Sequence, residues 1–191
     1  MMLRRALPAL AAAAAVTPAG ANEFRPVLEE LARSEMQEVL SDPALLAALR
    51  AQNARTAGLS EDEILALDAD WRSQVGRGEA PLIEAVTGND AAANLRARQE
   101  EAGGLFSEIF VMDSRGLNVA ASNTTSDYWQ GDEAKWQESF GLGAGAMHIG
   151  EIEFDESSQS YLSQVSLTVT DPETGEPIGA ATFGVNVEML P

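Results

Sequence analysis

The chain contains no cysteine, one histidine and one lysine. The absence of cysteine excludes disulfide bonds, thiol catalysis and thiolate metal sites, so stability must come from packing. Basic residues are scarce as a class, because 12 lysines and arginines stand against 30 aspartates and glutamates, for a formal net charge of −18. Such a charge strongly disfavours binding to nucleic acid or to anionic lipid.

The shortage of basic residues is greatest in the C-terminal part. After Arg115 the only formal cation is Lys135, which is set against twelve acidic residues. This part of the chain therefore carries a negative field that attracts cationic or zwitterionic ligands, whereas an anionic ligand would depend on Lys135. The alternative is that the acidity only keeps an exported protein soluble.

The apolar run near the N-terminus is short. It extends from Ala6 to Val16 and follows Arg4 and Arg5, whereas a membrane-spanning helix takes about 20 apolar residues. A basic start, a short apolar run and a small-residue site predict a secretory signal peptide over residues 1–21.

Cleavage of this signal is expected after Ala21, where Ala19 and Ala21 provide the small residues of the site. The remaining residues 22–191 are predicted to form one periplasmic domain, with no membrane insertion after cleavage. Residues 22–104 make up its helical region and residues 105–191 its sheet and ligand loop.

A long helical pattern opens the domain. Apolar residues recur mostly at intervals of three and four between Phe24 and Ala57, which predicts an amphipathic helix. Asp42 and Pro43 interrupt it, since Asp42 can cap a new helix with Pro43 at its first position. We expect two helices in series or one kinked helix.

Shorter helices follow. Ser60 and Glu63 form a capping box ahead of a helix that carries Trp71. Two further helices are predicted over residues 81–86 and 91–102.

The period changes after Gly103 and Gly104. Apolar segments bounded by turn residues predict strands over 109–112, 117–121, 147–154, 160–170 and 178–187. The predicted fold class is α+β, with a long N-terminal helix and short helices packed on a five-stranded antiparallel sheet.

The segment from Ser126 to Trp136 holds two of the three tryptophans, one of the two tyrosines and the only lysine. Aromatic rings beside fixed charges suit the desolvation of a small polar ligand, so we predict ligand contacts here. With Asp132 as its cap, a helix from Glu133 to Phe140 would place Trp136 and Phe140 on one face. The alternative is a short helix that packs its tryptophans into the core.

Several motifs resemble the extracytoplasmic Cache (PDC) sensor domains, whose fold is PAS-like, and especially a stand-alone periplasmic bacterial branch. The motifs are Glu108–Asp113, Gly116–Val119, Thr125–Trp136, Phe154–Ser157 and Asp171–Ala180. The resemblance runs from about Phe24 to the end; the aromatic motif is specific, whereas the terminal hairpin is common across the superfamily. It implies binding of a small metabolite between the sheet and the loop after its second strand, usually to drive a kinase, cyclase or chemoreceptor.

The resemblance also implies ligand contacts. Amino-acid-binding members hold the ligand's ammonium group with aromatic residues and an acid of this loop, here Tyr128, Trp129 and Asp132. The arginine that such members place upstream for the carboxylate is missing, and Lys135 is its candidate replacement. The sheet face under the loop forms the pocket floor, which adds two polar residues of the fourth strand. The predicted set is Tyr128, Trp129, Gln130, Asp132, Lys135, Trp136, Asn123, Gln164 and Ser166.

These candidates have structural alternatives. Lys135 would form a surface ion pair of little energetic value, and Asn123 would satisfy a turn. Gln164 and Ser166 would lie on an exposed strand surface. His148, with no second histidine or cysteine to share a metal, is expected to be structural.

Three functions compete. The first is a sensor module for a small polar metabolite, preferably amine-bearing or amino-acid-like, which relays to a membrane receptor or kinase. The second is an interaction module with a vestigial pocket, whose long N-terminal helix pairs with a second copy or docks on a receptor. The third, a carboxylate-dependent hydrolase, lacks a nucleophile-base pair, a phosphate-binding glycine loop and a metal signature, so we expect no enzyme and no cofactor or metal. The acidic run from Glu151 to Glu156 is interpreted as a solvated strand face rather than a calcium site.

Overall fold

The computed structural model describes residues 22–156 and 158–191, so the predicted signal peptide lies outside the described residues. The helices are α1 (Arg25–Leu31), α2 (Gln37–Leu40), α3 (Pro43–Thr56), α4 (Glu61–Gln74), α5 (Pro81–Thr87), α6 (Asp90–Glu101) and α7 (Ala134–Gln137). The strands are β1 (Phe106–Asp113), β2 (Asn118–Ala121), β3 (Met147–Asp155), β4 (Ser160–Thr170) and β5 (Pro177–Asn186).

The interruption of the first helical pattern is confirmed. The carboxylate of Asp42 accepts hydrogen bonds from the backbone N–H groups of Ala44 and Leu45, at 2.7 and 3.0 Å, and Pro43 opens α3. Before this break, α1 and α2 are joined by a π-helical turn over Ala32–Met36, which the sequence pattern did not predict.

The capping box is confirmed as well. The Ser60 hydroxyl accepts from the Glu63 N–H, and the Glu63 carboxylate accepts from the Ser60 N–H at 2.8 Å. The box starts α4, which carries Trp71 into the interior with no exposed surface. The two predicted helices after it correspond to α5 and α6.

The five strands form one antiparallel sheet in the order β2-β1-β5-β4-β3. This arrangement, with helices packed against it, is an α+β PAS-like fold, as predicted. The sheet lies between two layers. One face packs on α1, α3 and α6 through a large apolar core, whereas α4, α5 and the segment between β2 and β3 cover part of the other face.

The predicted helix from Glu133 to Phe140 is wrong in length. Only Ala134–Gln137 is α-helical, and Glu133 rather than Asp132 precedes it, without a side-chain cap. The backbone leaves the helical conformation at Ser139, whose φ is −111° and ψ is −88°. The expected pairing of Trp136 with Phe140 is confirmed, with ring centroids 5.1 Å apart.

The alternation of buried apolar and exposed acidic side chains along β3 is not kept over its whole length. The pairing register with β4 shifts between Ile149 and Ile152, so the end of the strand leaves the core. Phe154 is 50% exposed and packs edge-on against Tyr161 at 5.3 Å. Among residues 22–156 and 158–191, no helix is long and apolar enough to cross a bilayer.

Candidate functional site

A cleft of about 870 Å³ lies between the β2–β3 segment and the sheet. Its walls come from the start of β1, from residues 123–124 and 133–138, from β3, and from two positions of β4. Arg25, at the start of α1, closes one side and donates a hydrogen bond of 3.2 Å to the Ile149 carbonyl. This volume falls within the usual range of roughly 300–1,000 Å³ for small-molecule sites.

The floor of the cleft is a row across three strands. Glu108 of β1 pairs with Gly184 of β5, and Gly184 pairs with Gln164 of β4. Because the middle position has no side chain, the Gln164 amide reaches across it and donates to the Glu108 carboxylate at 3.4 Å. An added Cβ at Gly184 would lie 2.9 Å from the Glu108 Cγ and 2.5 Å from the Ser107 hydroxyl.

Glu108, the acid of this row, is poorly solvated. Loss of water around its carboxyl group raises its pKa, an effect partly opposed by the charge of Lys135 and the hydrogen bond from Gln164. Its ionised form is therefore short of compensating positive charge. Such a carboxylate is suited to bind a cation that enters the cleft.

Lys135 projects from α7 over the inner wall of the cleft. Its ammonium lies 3.0 Å from the Glu133 carboxylate and donates to the Gln130 side-chain carbonyl at 3.2 Å. It also lies 5.4 Å from the centroid of the Phe110 ring. The side chain is only 13% exposed, so the alternative of a surface ion pair does not apply to it.

His148 and Glu138 form an opposite wall. The His148 Nδ1 lies 2.7 Å from a Glu138 carboxylate oxygen, which links β3 to the residue that follows α7. Both residues line the cleft. The lone histidine therefore joins the segment above the sheet to the sheet itself.

The lining is strongly acidic. Its formally cationic side chains are Arg25 and Lys135. Its carboxylates are Glu108, Glu133, Glu138, Glu151, Glu153 and Asp155. The cleft therefore concentrates the negative field that the sequence assigned to the C-terminal part.

Three of the predicted ligand residues line this cleft: Asn123, Lys135 and Gln164. Asn123 is exposed and donates to the Ser107 carbonyl at 3.0 Å. Gln164 is half-buried on the floor, so the alternative of an exposed strand surface does not apply to it.

The aromatic residues of the predicted set face elsewhere. Tyr128 is buried and stacks on Trp71 with ring centroids 5.5 Å apart, and burial raises the pKa of its phenol to about 12. The indole N–H of Trp129 donates to the Arg115 carbonyl at 2.9 Å, and that of Trp136 to the Asp113 carbonyl at 3.1 Å. Their polar atoms are thus used within the fold.

The other predicted residues are placed as follows. Gln130 is buried behind the wall, where it supports Lys135. Asp132 is exposed. Ser166 is fully buried, and its hydroxyl oxygen lies 2.9 Å from that of Thr182 on the neighbouring strand. A ligand would have to displace that contact.

A buried carboxylate on α4 fixes the start of the β2–β3 segment. Asp68 accepts hydrogen bonds from the backbone N–H groups of Tyr128 and Trp129, at 2.9 and 3.1 Å. Arg72 bridges Asp68 and Asp127, at 2.7 Å to each. The segment is therefore anchored to α4 at its start, and the contacts of Trp136 with Asp113 and of Glu138 with His148 hold it to the sheet further along.

Sequence reasoning missed Glu108, Glu133, Glu138 and the cleft-lining position of His148. A signal for Glu108 was available, because this charged residue shares one face of the strand with the apolar Phe110 and Met112, at intervals of two. Within the described ranges, no group of three or more His, Cys, Asp or Glu side chains is placed to hold a metal ion.

Comparison of the sequence with models of known families finds no match, and comparison with curated proteins finds none. Solved structures resemble the fold. The ligand-binding domain of the Campylobacter jejuni chemoreceptor Tlp3, in complex with 4-methylisoleucine, is 13% identical with a TM-score of 0.41, covering 83% of this chain and 63% of that one. The sensor domain of the V. cholerae histidine kinase DctB is 17% identical with a TM-score of 0.39, covering 86% and 57%.

A third neighbour is the ligand-binding domain of the Pseudomonas aeruginosa PAO1 amino acid chemoreceptor PctC in complex with GABA. It is 14% identical with a TM-score of 0.41, covering 87% of this chain and 62% of that one. The structural neighbours are thus sensor domains of chemoreceptors and histidine kinases, and the chain spans less than two thirds of each of these three. We base the function of this chain on its own cleft.

Proposed function

We propose that this chain is an extracytoplasmic sensor module that binds a small amine-bearing metabolite in the cleft and relays its presence to a membrane partner. The observation that carries the proposal is the charge of the cleft, whose six carboxylates face two formal cations. A cation entering this space would neutralise part of that excess, whereas an anion would add to it.

The position of Glu108 supports the same ligand class. A carboxylate held on a poorly solvated floor gains more from a bound ammonium group than an exposed one does, because the surroundings screen the attraction less. Gln164 would orient the carboxylate from the side through their hydrogen bond. Asn123, at the rim, offers an amide to polar groups of the ligand.

The interaction module with a vestigial pocket receives less support. It predicts a filled, apolar cavity under the β2–β3 segment, whereas the cleft is open and lined by convergent polar groups. We assign no catalytic role to the chain. The periplasmic location, the membrane partner and pairing through the N-terminal helix remain parts of the proposal.

The test is a thermal stability screen of the purified protein against amines, amino acids and organic acids. A ligand at about 100 times its dissociation constant stabilises by roughly 2.7 kcal/mol, which is visible as a shift in melting temperature. We expect hits among amines that Glu108→Gln abolishes and Glu79→Gln, at an exposed position, leaves intact. Hits confined to organic acids, or no hit in a folded protein, would contradict the proposal.

A further inference from the structure

The ammonium group of Lys135 already sits in a cation site. A carboxylate oxygen of Glu133 and the side-chain carbonyl of Gln130 approach it within 3.2 Å, and the face of Phe110 lies beneath it. Glu108 acts on it from the floor through its charge. A carboxylate, an amide oxygen and a ring face are the groups that hold a desolvated ammonium ion.

Two partners of this ammonium group, Gln130 and Phe110, are arranged independently of it. Gln130 is buried, and its own amide donates to the Asp127 carbonyl at 3.0 Å, which fixes the orientation of its oxygen. Phe110 is buried in the sheet. The amide oxygen and the ring face of the site therefore persist when the flexible lysine side chain leaves it.

From this geometry we infer that Lys135 is an internal substitute for the ligand: its ammonium occupies, in the empty protein, the position that the ligand's ammonium takes in the complex. The inference rests on the proposed function and narrows it. Binding of the ligand displaces Lys135 toward solvent, and the ligand needs a primary or small alkyl ammonium group but no carboxylate. Lys135 then weakens binding by competition, which is the opposite of its expected role as a carboxylate contact.

The two roles of Lys135 are separable with small probes. We would titrate n-propylammonium, which matches the end of a lysine side chain, and propionate into the wild type and into Lys135→Ala, Lys135→Met and Lys135→Arg. Isothermal titration gives the affinities. Because the chain has one lysine, its side-chain ¹⁵N resonance reports directly whether the ammonium leaves the site.

Competition predicts that Lys135→Ala binds n-propylammonium at least tenfold more tightly than the wild type. Lys135→Met, which fills the space with an apolar chain, and Lys135→Arg, which keeps a cation there, should not show this gain. Adding Glu133→Gln to Lys135→Ala should reverse most of it. In the wild type, saturation with the probe should move the lysine ¹⁵N signal to the position of a solvated ammonium group.

Two results would overturn the inference. One is propionate binding to the wild type that is lost in Lys135→Ala, since Lys135 would then be an anion contact. The other is no gain of n-propylammonium affinity in a folded Lys135→Ala protein. If the stability screen still finds amine hits in that case, the proposed function stands and only the ammonium site is rejected. If Lys135→Ala gains affinity for n-propylammonium but the screen finds no amine hit, the proposed function is rejected and the ammonium site is kept.

Discussion

The guanidinium group of Arg50, in α3, donates two hydrogen bonds of 2.7 Å to the carboxylate of Asp171, at the turn between β4 and β5. This paired geometry is the strongest form of an arginine–carboxylate contact. It ties the first long helical segment to the last hairpin, 121 residues away in sequence. The contact makes the pH dependence of stability predictable.

Asp171 should lose its stabilising effect between about pH 4 and pH 2. The hydrogen bonds from Arg50, with help from the Glu173 N–H, lower the pKa of Asp171 to about 2, against roughly 3.9 in an unfolded chain. A lowered pKa stabilises the native state while the group is ionised, so the effect is complete above the unfolded pKa and is lost as pH falls through the folded one. The wild type should therefore exceed Asp171→Asn in free energy of unfolding at pH 6 and approach it at pH 2.

Urea denaturation at pH 6, 4, 3 and 2 measures this difference. Arg50→Met provides the reciprocal control, because it removes the cause of the lowered pKa while keeping the carboxyl group. A difference between wild type and Asp171→Asn that stays constant down to pH 2 would exclude this origin of acid sensitivity.

Glu108→Gln should stabilise the protein at neutral pH while weakening amine binding. Because folding raises the pKa of Glu108, its ionisation disfavours the native state, and the penalty is absent at low pH and complete above the folded pKa. The variant should thus be more stable than the wild type at pH 7 and equal to it below about pH 4, near the ordinary pKa of glutamate. Chemical denaturation at both values checks this, with Glu79→Gln as the surface control. Lower stability of Glu108→Gln at pH 7 would mean that the attraction of Lys135 outweighs desolvation.

Asp68→Ala should release the start of the β2–β3 segment. It leaves the backbone N–H groups of Tyr128 and Trp129 without their acceptor, and an unsatisfied buried donor costs about 1–3 kcal/mol. Denaturation measures the loss, and hydrogen exchange should accelerate at these two amides. Asp62→Ala is the matched control, because Asp62 is exposed on the same helix and should change stability by no more than about 1 kcal/mol, the upper value for a charge in the first helical turn. Unchanged exchange at Tyr128 in Asp68→Ala would contradict the anchoring role.

Gly184→Ala should obstruct the floor of the cleft. The added methyl group would press on the Glu108 side chain and the Ser107 hydroxyl, at a cost of about 1–3 kcal/mol for overpacking. It would also separate Gln164 from Glu108. The loss in free energy of ligand binding should therefore exceed the loss in free energy of unfolding. Gly78→Ala, where an added Cβ meets nothing within 4 Å, is the control for glycine replacement itself. Full ligand affinity in a folded Gly184→Ala protein would remove this row from the site.

The elements of the fold were predictable because their signals are local. The Asp42 cap, the Ser60–Glu63 box and the alternation of Gln164 with Val165 each involve residues within three positions of one another. Such signals determine where a helix starts and which face a strand presents. The order of the strands in the sheet, β2-β1-β5-β4-β3, was not predicted, because these local signals do not specify which strands pair.

The site was less predictable because it depends on register. That Glu108, Gly184 and Gln164 form one row follows from pairings across three strands, which no local pattern in the sequence specifies. The aromatic segment was correctly placed above the sheet, but Tyr128 turns into the interior because Trp71, more than fifty residues earlier, supplies a stacking partner. Composition drew attention to the rings, whereas the acidic strand residues line the cleft.

The π-helical turn over Ala32–Met36 gives the first helical segment one surplus residue in its winding. The side chains that follow Met36 therefore point about 100° away from the direction that an uninterrupted α-helix would give them, the angle between successive residues of an α-helix. This offset sets which side chains of α2 turn toward the core, where Val39 and Leu40 are buried.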